Sequence, residues 1–227
     1  MDWQIWEQRL HALLKQLPTE EAIVPLASRS WSLTRVRNEE AIITFAERLE
    51  HFPYGFLLWE AAVGAAEHLE ANPALVAGKS VLELGGGLGF AGMVAQSLGG
   101  RVCQTDHQPG ALTIARWNAQ KNGITEIEYR IADWRDWNHK KKYDVILGAD
   151  ILYERKMHFH LEEIFRHYLS PKGCLVLSDP KREQAFQFIT HLEDTGWRFS
   201  ITSRKVYKEF DPANGDMDVI IYEGRWG

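Results

Sequence analysis

A carboxylate next to a glycine-rich turn is the feature of this sequence with the clearest chemical potential. Glu83 lies in the short apolar run Ser80–Leu84, and Gly85, Gly87 and Gly89 follow at once. Runs of this kind are typical of buried parallel strands, and glycines after such a strand let the chain turn sharply and let a ligand contact the main chain. A carboxylate beside the turn would repel a pyrophosphate but suits a cationic, amino-acid-like ligand.

The next predicted strand, at 101–105, ends at Asp106, where an acidic residue can hold both hydroxyls of a ribose. The same region satisfies the dinucleotide pattern, because Gly87-x-Gly89-x-x-Gly92 is followed by Asp106 about twenty residues after its first glycine. Binding of NAD or FAD is therefore one alternative. A glycine-rich turn of an ordinary α/β protein, with no ligand, is another.

An acid and a tryptophan follow the strand predicted at 124–131. Asp133 could accept a hydrogen bond from an adenine amino group, and Trp134 could stack on the base. The alternative for this pair is an exposed loop acid beside a surface tryptophan.

The most apolar predicted strand is Tyr143–Ala149, and Asp150 and Tyr153 follow it. Open α/β sheets bind ligands at the carboxyl ends of their strands. If the chain turns helically at Asp150, residues three apart lie on the same side, so both side chains would face one pocket. A carboxylate and a hydroxyl in that place can orient an amine for attack.

Taken together and in this order, these motifs resemble those of the class I S-adenosylmethionine (SAM) methyltransferases. The segment Trp59–Ala62 (Trp-Glu-Ala-Ala) and the Asp-x-x-Tyr of Asp150 and Tyr153 resemble the family-16 protein-lysine methyltransferases. The resemblance implies SAM as cofactor and gives each residue a role. Glu83, Gly85 and Gly87 would hold its amino-acid part, Asp106 the ribose, and Asp133 and Trp134 the adenine; Trp59 and Ala149 would close the pocket, and Asp150 and Tyr153 would position the acceptor.

The elements that must position these residues alternate between strands and helices after residue 78. Predicted helices at 90–98 and 109–122 separate the first strands, and the chain ends in two long strands around a turn at 211–215. With the resemblance, this predicts an α/β fold with a doubly wound, mostly parallel seven-stranded Rossmann-like sheet ending in a C-terminal β-hairpin. We divide the chain into an extension, 1–53, and a methyltransferase domain, 54–227. The extension is predicted to be helical with an edge strand near Trp31, to pack on the core, and to be a candidate for facing the substrate.

Composition narrows the possible functional classes and cellular locations further. The 227 residues are 45% apolar with a formal charge of −5 and a pI of about 6.0, so no overall basic field recruits nucleic acid. Cys103 and Cys174 fall in predicted buried strands and are interpreted as core residues. No metal site is predicted, because His158 and His160 point to different sides of a helix. The N-terminus lacks the apolar run of a signal peptide, and no stretch could span a bilayer, which favours a cytoplasmic protein that binds neither nucleic acid nor membrane.

The sequence thus predicts a SAM-dependent methyltransferase whose acceptor, by resemblance, is a lysine ε-amine of a protein substrate. A small-molecule N- or O-methyltransferase with the same cofactor site is the first alternative. An NAD- or FAD-binding oxidoreductase and a non-catalytic binding protein are the others. Motifs of the Asn/Asp-Pro-Pro-Tyr/Phe type do not occur in the chain, which disfavours base amino groups and glutamine amides as acceptors.

Overall fold

The computed structural model describes residues 3–37, 54–207 and 215–227. Residues 38–53 of the predicted extension and most of the turn predicted at 211–215 lie outside these ranges. The chain begins with helix α1 (Trp3–Leu14) and the strands β1 (Thr19–Pro25) and β2 (Ser30–Val36). The two strands form an antiparallel sheet of their own, where the sequence predicted a single edge strand.

Seven strands form the main sheet, in the order β5-β4-β3-β6-β7-β9-β8. Five run parallel, whereas β9 is antiparallel to both of its neighbours, as predicted for a terminal hairpin. The strands are β3 (Ser80–Leu84), β4 (Arg101–Asp106), β5 (Glu128–Ile131), β6 (Tyr143–Ala149), β7 (Leu169–Asp179), β8 (Trp197–Tyr207) and β9 (Asp216–Trp226).

Helices cover both faces of this sheet, so its central strands are apolar on both sides. Along β6, Val145 and Leu147 belong to the core on one face, whereas Ile146 belongs to the core on the other. The first face is covered by α2 (Glu60–Ala71), α3 (Phe90–Ser97) and α4 (Pro109–Lys121), and the second by α5 (His158–Tyr168) and α6 (Glu183–Asp194). The doubly wound α/β prediction is confirmed.

The N-terminal β1–β2 sheet is attached to α4 by two asparagine side chains one helical turn apart. Asn118 accepts a bond from the Thr34 N–H (2.8 Å) and donates to the Thr34 carbonyl (3.2 Å), and Asn122 does the same for Ser32 (3.0 and 2.7 Å). Each amide thus occupies both main-chain groups of a β2 residue, as a neighbouring strand would. These bonds hold the β1–β2 sheet against α4, while the division of the chain at residue 53 remains a prediction.

One predicted bound was wrong, because the strand predicted at 124–131 begins only at Glu128. A helical turn at Asp150 was the condition for placing Asp150 and Tyr153 on the same side of the chain. The structure does not have that turn, since Asp150 has a φ of 58°, in the left-handed region.

Candidate functional site

A cavity of about 640 Å³ opens at the carboxyl ends of β3, β4 and β6, where ligands bind in sheets of this topology. Its volume is that of a small-molecule site. All ten of the predicted site residues line it. They are Trp59, Glu83, Gly85, Gly87, Asp106, Asp133, Trp134, Ala149, Asp150 and Tyr153. The structure thus brings the predicted residues together, and the individual role of each remains a prediction.

The glycine-rich turn needs glycine for conformation and for space. Gly85 and Gly87 have φ values of 65° and 52°, in the region that side chains rarely adopt. A Cβ on Gly85 would lie 3.3 Å from the ring of Trp134, and one on Gly87 would lie 3.5 Å from the carbonyl oxygen of Gly55. The turn is therefore packed closely between these two neighbours while its main chain lines the cavity.

Glu83 is a buried carboxyl group with one oxygen left unpaired. Its Oε1 accepts a hydrogen bond from the Gly92 N–H at 3.0 Å, whereas Oε2 has no hydrogen-bond partner in the described part of the chain. Burial raises the pKa of Glu83 to about 8, although the nearby Gln104 amide and the Gly92 N–H favour the charged form. A buried carboxyl group is costly to ionise, and since Glu83 lines the cavity, an ammonium group bound there would offset part of that cost.

Asp106 is held rigidly at the end of β4. One carboxylate oxygen accepts from the Gly87 N–H (3.2 Å), the other from the Gln108 N–H (2.9 Å), and the side chain is 8% exposed. His107 also lines the cavity, with Nδ1 3.4 Å from Asp106 Oδ1. The hydrogen bond to Asp106 raises the pKa of His107. Each carboxylate oxygen has capacity for a further hydrogen bond, so a pair of hydroxyls could still bind here.

Asp133 is already bound by an arginine that the sequence analysis did not single out. Arg135 donates to both carboxylate oxygens (2.5 to 3.1 Å) and its main-chain N–H donates to Asp133 as well. The hydrogen bond to Arg135 lowers the pKa of Asp133 to about 2. An adenine amino group would therefore share this carboxylate with Arg135. Trp134, whose ring lies against Gly85, offers the flat apolar surface beside it.

The segment before α2 forms another wall of the cavity. The indole N–H of Trp59 donates to the Tyr54 carbonyl at 3.2 Å, and the two rings are 6.2 Å apart. Gly55 lies against the glycine-rich turn at Gly87, which joins this wall to the turn. Sequence reasoning found Trp59 through a family motif, whereas it treated Tyr54 and Gly55 only as a turn. Ala149, on β6, is small enough to leave the cavity open on its side.

The acceptor-side residues differ from each other in environment. Asp150 is 9% exposed and paired with Arg182, which also bonds Asp179, whereas Tyr153 is 48% exposed. Burial raises the pKa of Tyr153. Asp179 is fully buried and does not line the cavity. The sequence analysis missed Arg182, which lies far from Asp150 in the chain.

A second cluster of polar side chains lies away from the cavity. The Cys103 thiol, the Glu128 carboxylate and a His139 nitrogen lie within 4.8 Å of one another. The guanidinium of Arg130 is 2.8 Å from His139 Nε2 and 3.9 Å from Glu128, so a cation already fills the gap between them. The interpretation of Cys103 as a buried core residue was correct, but sequence reasoning did not foresee this grouping.

A family model described as "Lysine methyltransferase" matches residues 37–195. This chain belongs to that family. It is 32% identical to protein N-lysine methyltransferase METTL21A of Xenopus tropicalis, over 56% of this chain and 61% of that protein. It is 32% identical to histone-arginine methyltransferase METTL23 of Mus musculus (58% and 51%) and 30% identical to EEF1A lysine methyltransferase 3 of the same species (74% and 71%). The chain thus spans less than two thirds of the first two relatives.

The fold is also that of solved methyltransferase structures. A ribosomal protein L11 methylase from Lactobacillus delbrueckii subsp. bulgaricus aligns with a TM-score of 0.54 at 20% identity, over 73% of this chain and 77% of that one. The family match confirms the predicted family, and the structural likeness confirms the predicted class I methyltransferase fold. Within the described ranges, no helix combines the length and the apolarity that crossing a membrane requires.

The structure disfavours the dinucleotide alternative. Gly92 lies inside α3 and donates its N–H to Glu83, which holds the Glu83 carboxyl group next to the glycine-rich turn. This carboxyl group would meet any pyrophosphate that approached the turn.

Proposed function

We propose that this chain transfers a methyl group from SAM to the ε-amine of a lysine in another protein. The observation that carries the proposal is one cavity lined by both sets of residues, those expected to hold the cofactor and those expected to meet the acceptor, in a member of the lysine methyltransferase family. The cytoplasmic location that we expect is part of the proposal.

The cavity suits the chemical groups of this cofactor. The buried carboxyl group of Glu83, which lines the cavity, fits an ammonium group, the Asp106 carboxylate fits a pair of ribose hydroxyls, and the ring of Trp134 fits a purine. The bound cofactor supplies an electrophilic methyl group on a sulfonium, whose transfer leaves a neutral thioether.

The protein must deliver the acceptor nitrogen in its neutral form. A free lysine has a pKa of about 10.4, so it arrives as an ammonium ion and must give a proton to water before its lone pair can attack. Asp150, at the inner end of the acceptor side, and Tyr153, at the mouth, can orient the nitrogen through an oxygen acceptor each. The methylated product is again an ammonium and can leave as a cation.

The open mouth favours a protein acceptor over a metabolite. Tyr54 and Tyr153 both line the cavity and are 47% and 48% exposed, so the acceptor side faces solvent instead of being enclosed. The described residues 3–37 contribute nothing to the lining of this cavity. A lysine on a protein surface can reach such an opening, whereas a site for a small acceptor normally encloses most of it. Because one relative is named an arginine methyltransferase, the guanidinium is the acceptor group to test against lysine.

The test uses the full-length chain with methyl-labelled SAM. Acceptors are a cell lysate, elongation factor 1A and core histones, and Asp150→Asn serves as the inactive control. Labelled proteins are hydrolysed and their amino acids separated. We expect label in methyl-lysine with the wild type and none with the variant. Label in methyl-arginine would change the acceptor to a guanidinium, and label confined to the small-molecule fraction would refute a protein substrate.

A further inference from the structure

Arg182 lies between two carboxylates at the acceptor end of the cavity. Its guanidinium donates to both oxygens of Asp150, through Nη1 to Oδ1 and through Nη2 to Oδ2 at 3.2 Å. The same Nη1 donates to Asp179 Oδ2 at 3.0 Å. Bidentate contacts of this kind fix geometry as well as charge.

The main chain fixes all three members of this group. The Asp150 N–H donates to the carbonyl of Ser178 on β7 (2.9 Å), and the Arg182 N–H donates to Asp179 Oδ1 (2.6 Å). Asp150 also has a left-handed φ of 58°. A non-glycine residue in this conformation at a functional site marks a position that the surroundings impose. The arrangement therefore has little freedom to relax when a ligand arrives.

The charges around Asp150 come from several elements. Asp179 on β7 and Arg182 before α6 form an ion pair, and Arg182 also pairs with Asp150. Tyr153 lies close enough to Asp150 for the carboxylate to help raise the pKa of Tyr153. Asp106 on β4 and Glu154 act on Tyr153 in the same direction. Tyr222 on β9, facing Asp179, has a pKa raised to about 12 by burial and stays neutral. Arg182 is the cation that directly contacts Asp150.

We propose that Arg182 is a positioning residue that compensates the charge of Asp150, so that the acceptor nitrogen binds as a neutral amine. The inference rests on the function proposed above. Without the guanidinium, a bare carboxylate would hold the incoming lysine as an ammonium ion, which has no lone pair for attack. With it, Asp150 still has oxygen lone pairs to accept an N–H, but it attracts a full positive charge far less.

Binding of two cofactor analogues tests this without any acceptor. Sinefungin carries a primary amine where SAM has its methylated sulfonium, so it brings a cation next to the acceptor side, whereas S-adenosylhomocysteine has a neutral thioether there. Titration calorimetry of the full-length protein gives both affinities. In Arg182→Gln we expect the ratio of sinefungin affinity to S-adenosylhomocysteine affinity to rise about tenfold. Arg182→Lys should keep the wild-type ratio, and Asp150→Asn with Arg182→Gln should abolish the rise.

The outcomes separate the two proposals. An unchanged ratio in Arg182→Gln, with S-adenosylhomocysteine still bound normally, would overturn the role of Arg182 alone. Failure of the wild type to bind either analogue would overturn the proposed function. If Arg182→Gln does not fold, the change in protonation when the wild type binds sinefungin still tests the role of Arg182. The measurement titrates sinefungin near the pKa of its free amine, in two buffers of different ionisation enthalpy, with S-adenosylhomocysteine as the reference. Relative to that reference, binding of the neutral amine should release about half a proton, and uptake of about half a proton would refute charge compensation.

Discussion

Binding of the cofactor product should release a proton from Glu83. Burial raises the pKa of this carboxyl to about 8, so at about pH 7 roughly nine molecules in ten carry it protonated. An ammonium group bound in the cavity beside the Glu83 carboxyl group favours the charged form and lowers that pKa. Binding of S-adenosylhomocysteine is therefore expected to release about 0.9 proton per site at that pH.

Calorimetry in several buffers measures this directly. The observed enthalpy is plotted against the ionisation enthalpy of phosphate, imidazole and Tris, and the slope gives the number of protons released. In Glu83→Gln the slope should fall to near zero. The affinity for S-adenosylhomocysteine should fall about tenfold, because a charged hydrogen bond is lost. His107 is a second group in the cavity that could exchange a proton, because Asp106 raises its pKa. His107→Asn is therefore the matched control, and it should leave the slope unchanged.

Two results would refute this reasoning. A slope of zero in the wild type would mean that Glu83 is already ionised or does not meet the ligand ammonium. A slope that persists in Glu83→Gln would mean that the proton comes from another group.

Four further outcomes are expected. Glu83→Gln should raise the free energy of unfolding by about 2–4 kcal/mol near pH 7.5 and leave it unchanged near pH 4. The reason is that a raised carboxyl pKa opposes folding only above the unfolded value of 4.5. Denaturation at several pH values checks this, and a loss of stability would contradict it. Trp134→Ala should weaken S-adenosylhomocysteine about tenfold, whereas Trp226→Ala, outside the cavity, should not. Asp150→Asn should spare that binding and abolish transfer; full activity would remove Asp150 from the mechanism. Gly89→Ala should lower the free energy of unfolding, measured in urea, by about 2–3 kcal/mol, because its Cβ would lie 2.8 Å from Ala115 at a φ of 79°. The control Gly123→Ala has a similar φ of 76° but open space around the Cβ, and should lower it by about 1 kcal/mol.

The sequence predicted that these residues lie together, because its motifs follow strands. Glu83, Asp106 and Asp150 each lie in or just after an apolar run, and parallel strands bring their carboxyl ends to one edge. Knowing the order of the runs was therefore enough to predict that these side chains meet. The doubly wound sheet followed from the same alternation of strands and helices.

What the sequence did not reveal is the choice of partners. Arg182 reaches Asp150 across 32 positions, and nothing in the local pattern distinguishes it from other surface arginines. Arg135 is only two positions from Asp133, but its bond depends on a short 3-10 turn at Trp134–Asp136. The left-handed φ of Asp150 was not predicted either. Aspartate is enriched in that region, but most aspartates do not adopt it, so the residue type does not identify the position.

The position of β9 has a consequence for how the chain reaches this structure. β9 pairs directly with β7, for example at Ile220 and Asp179. β8 comes between β7 and β9 in the sequence. Among the described strands, it joins the sheet only through β9. During synthesis the edge of β7 therefore stays unpaired until about forty further residues have been made. An unpaired apolar edge is a template for pairing with another chain. We expect this interval to be the one in which a nascent molecule most depends on chaperones.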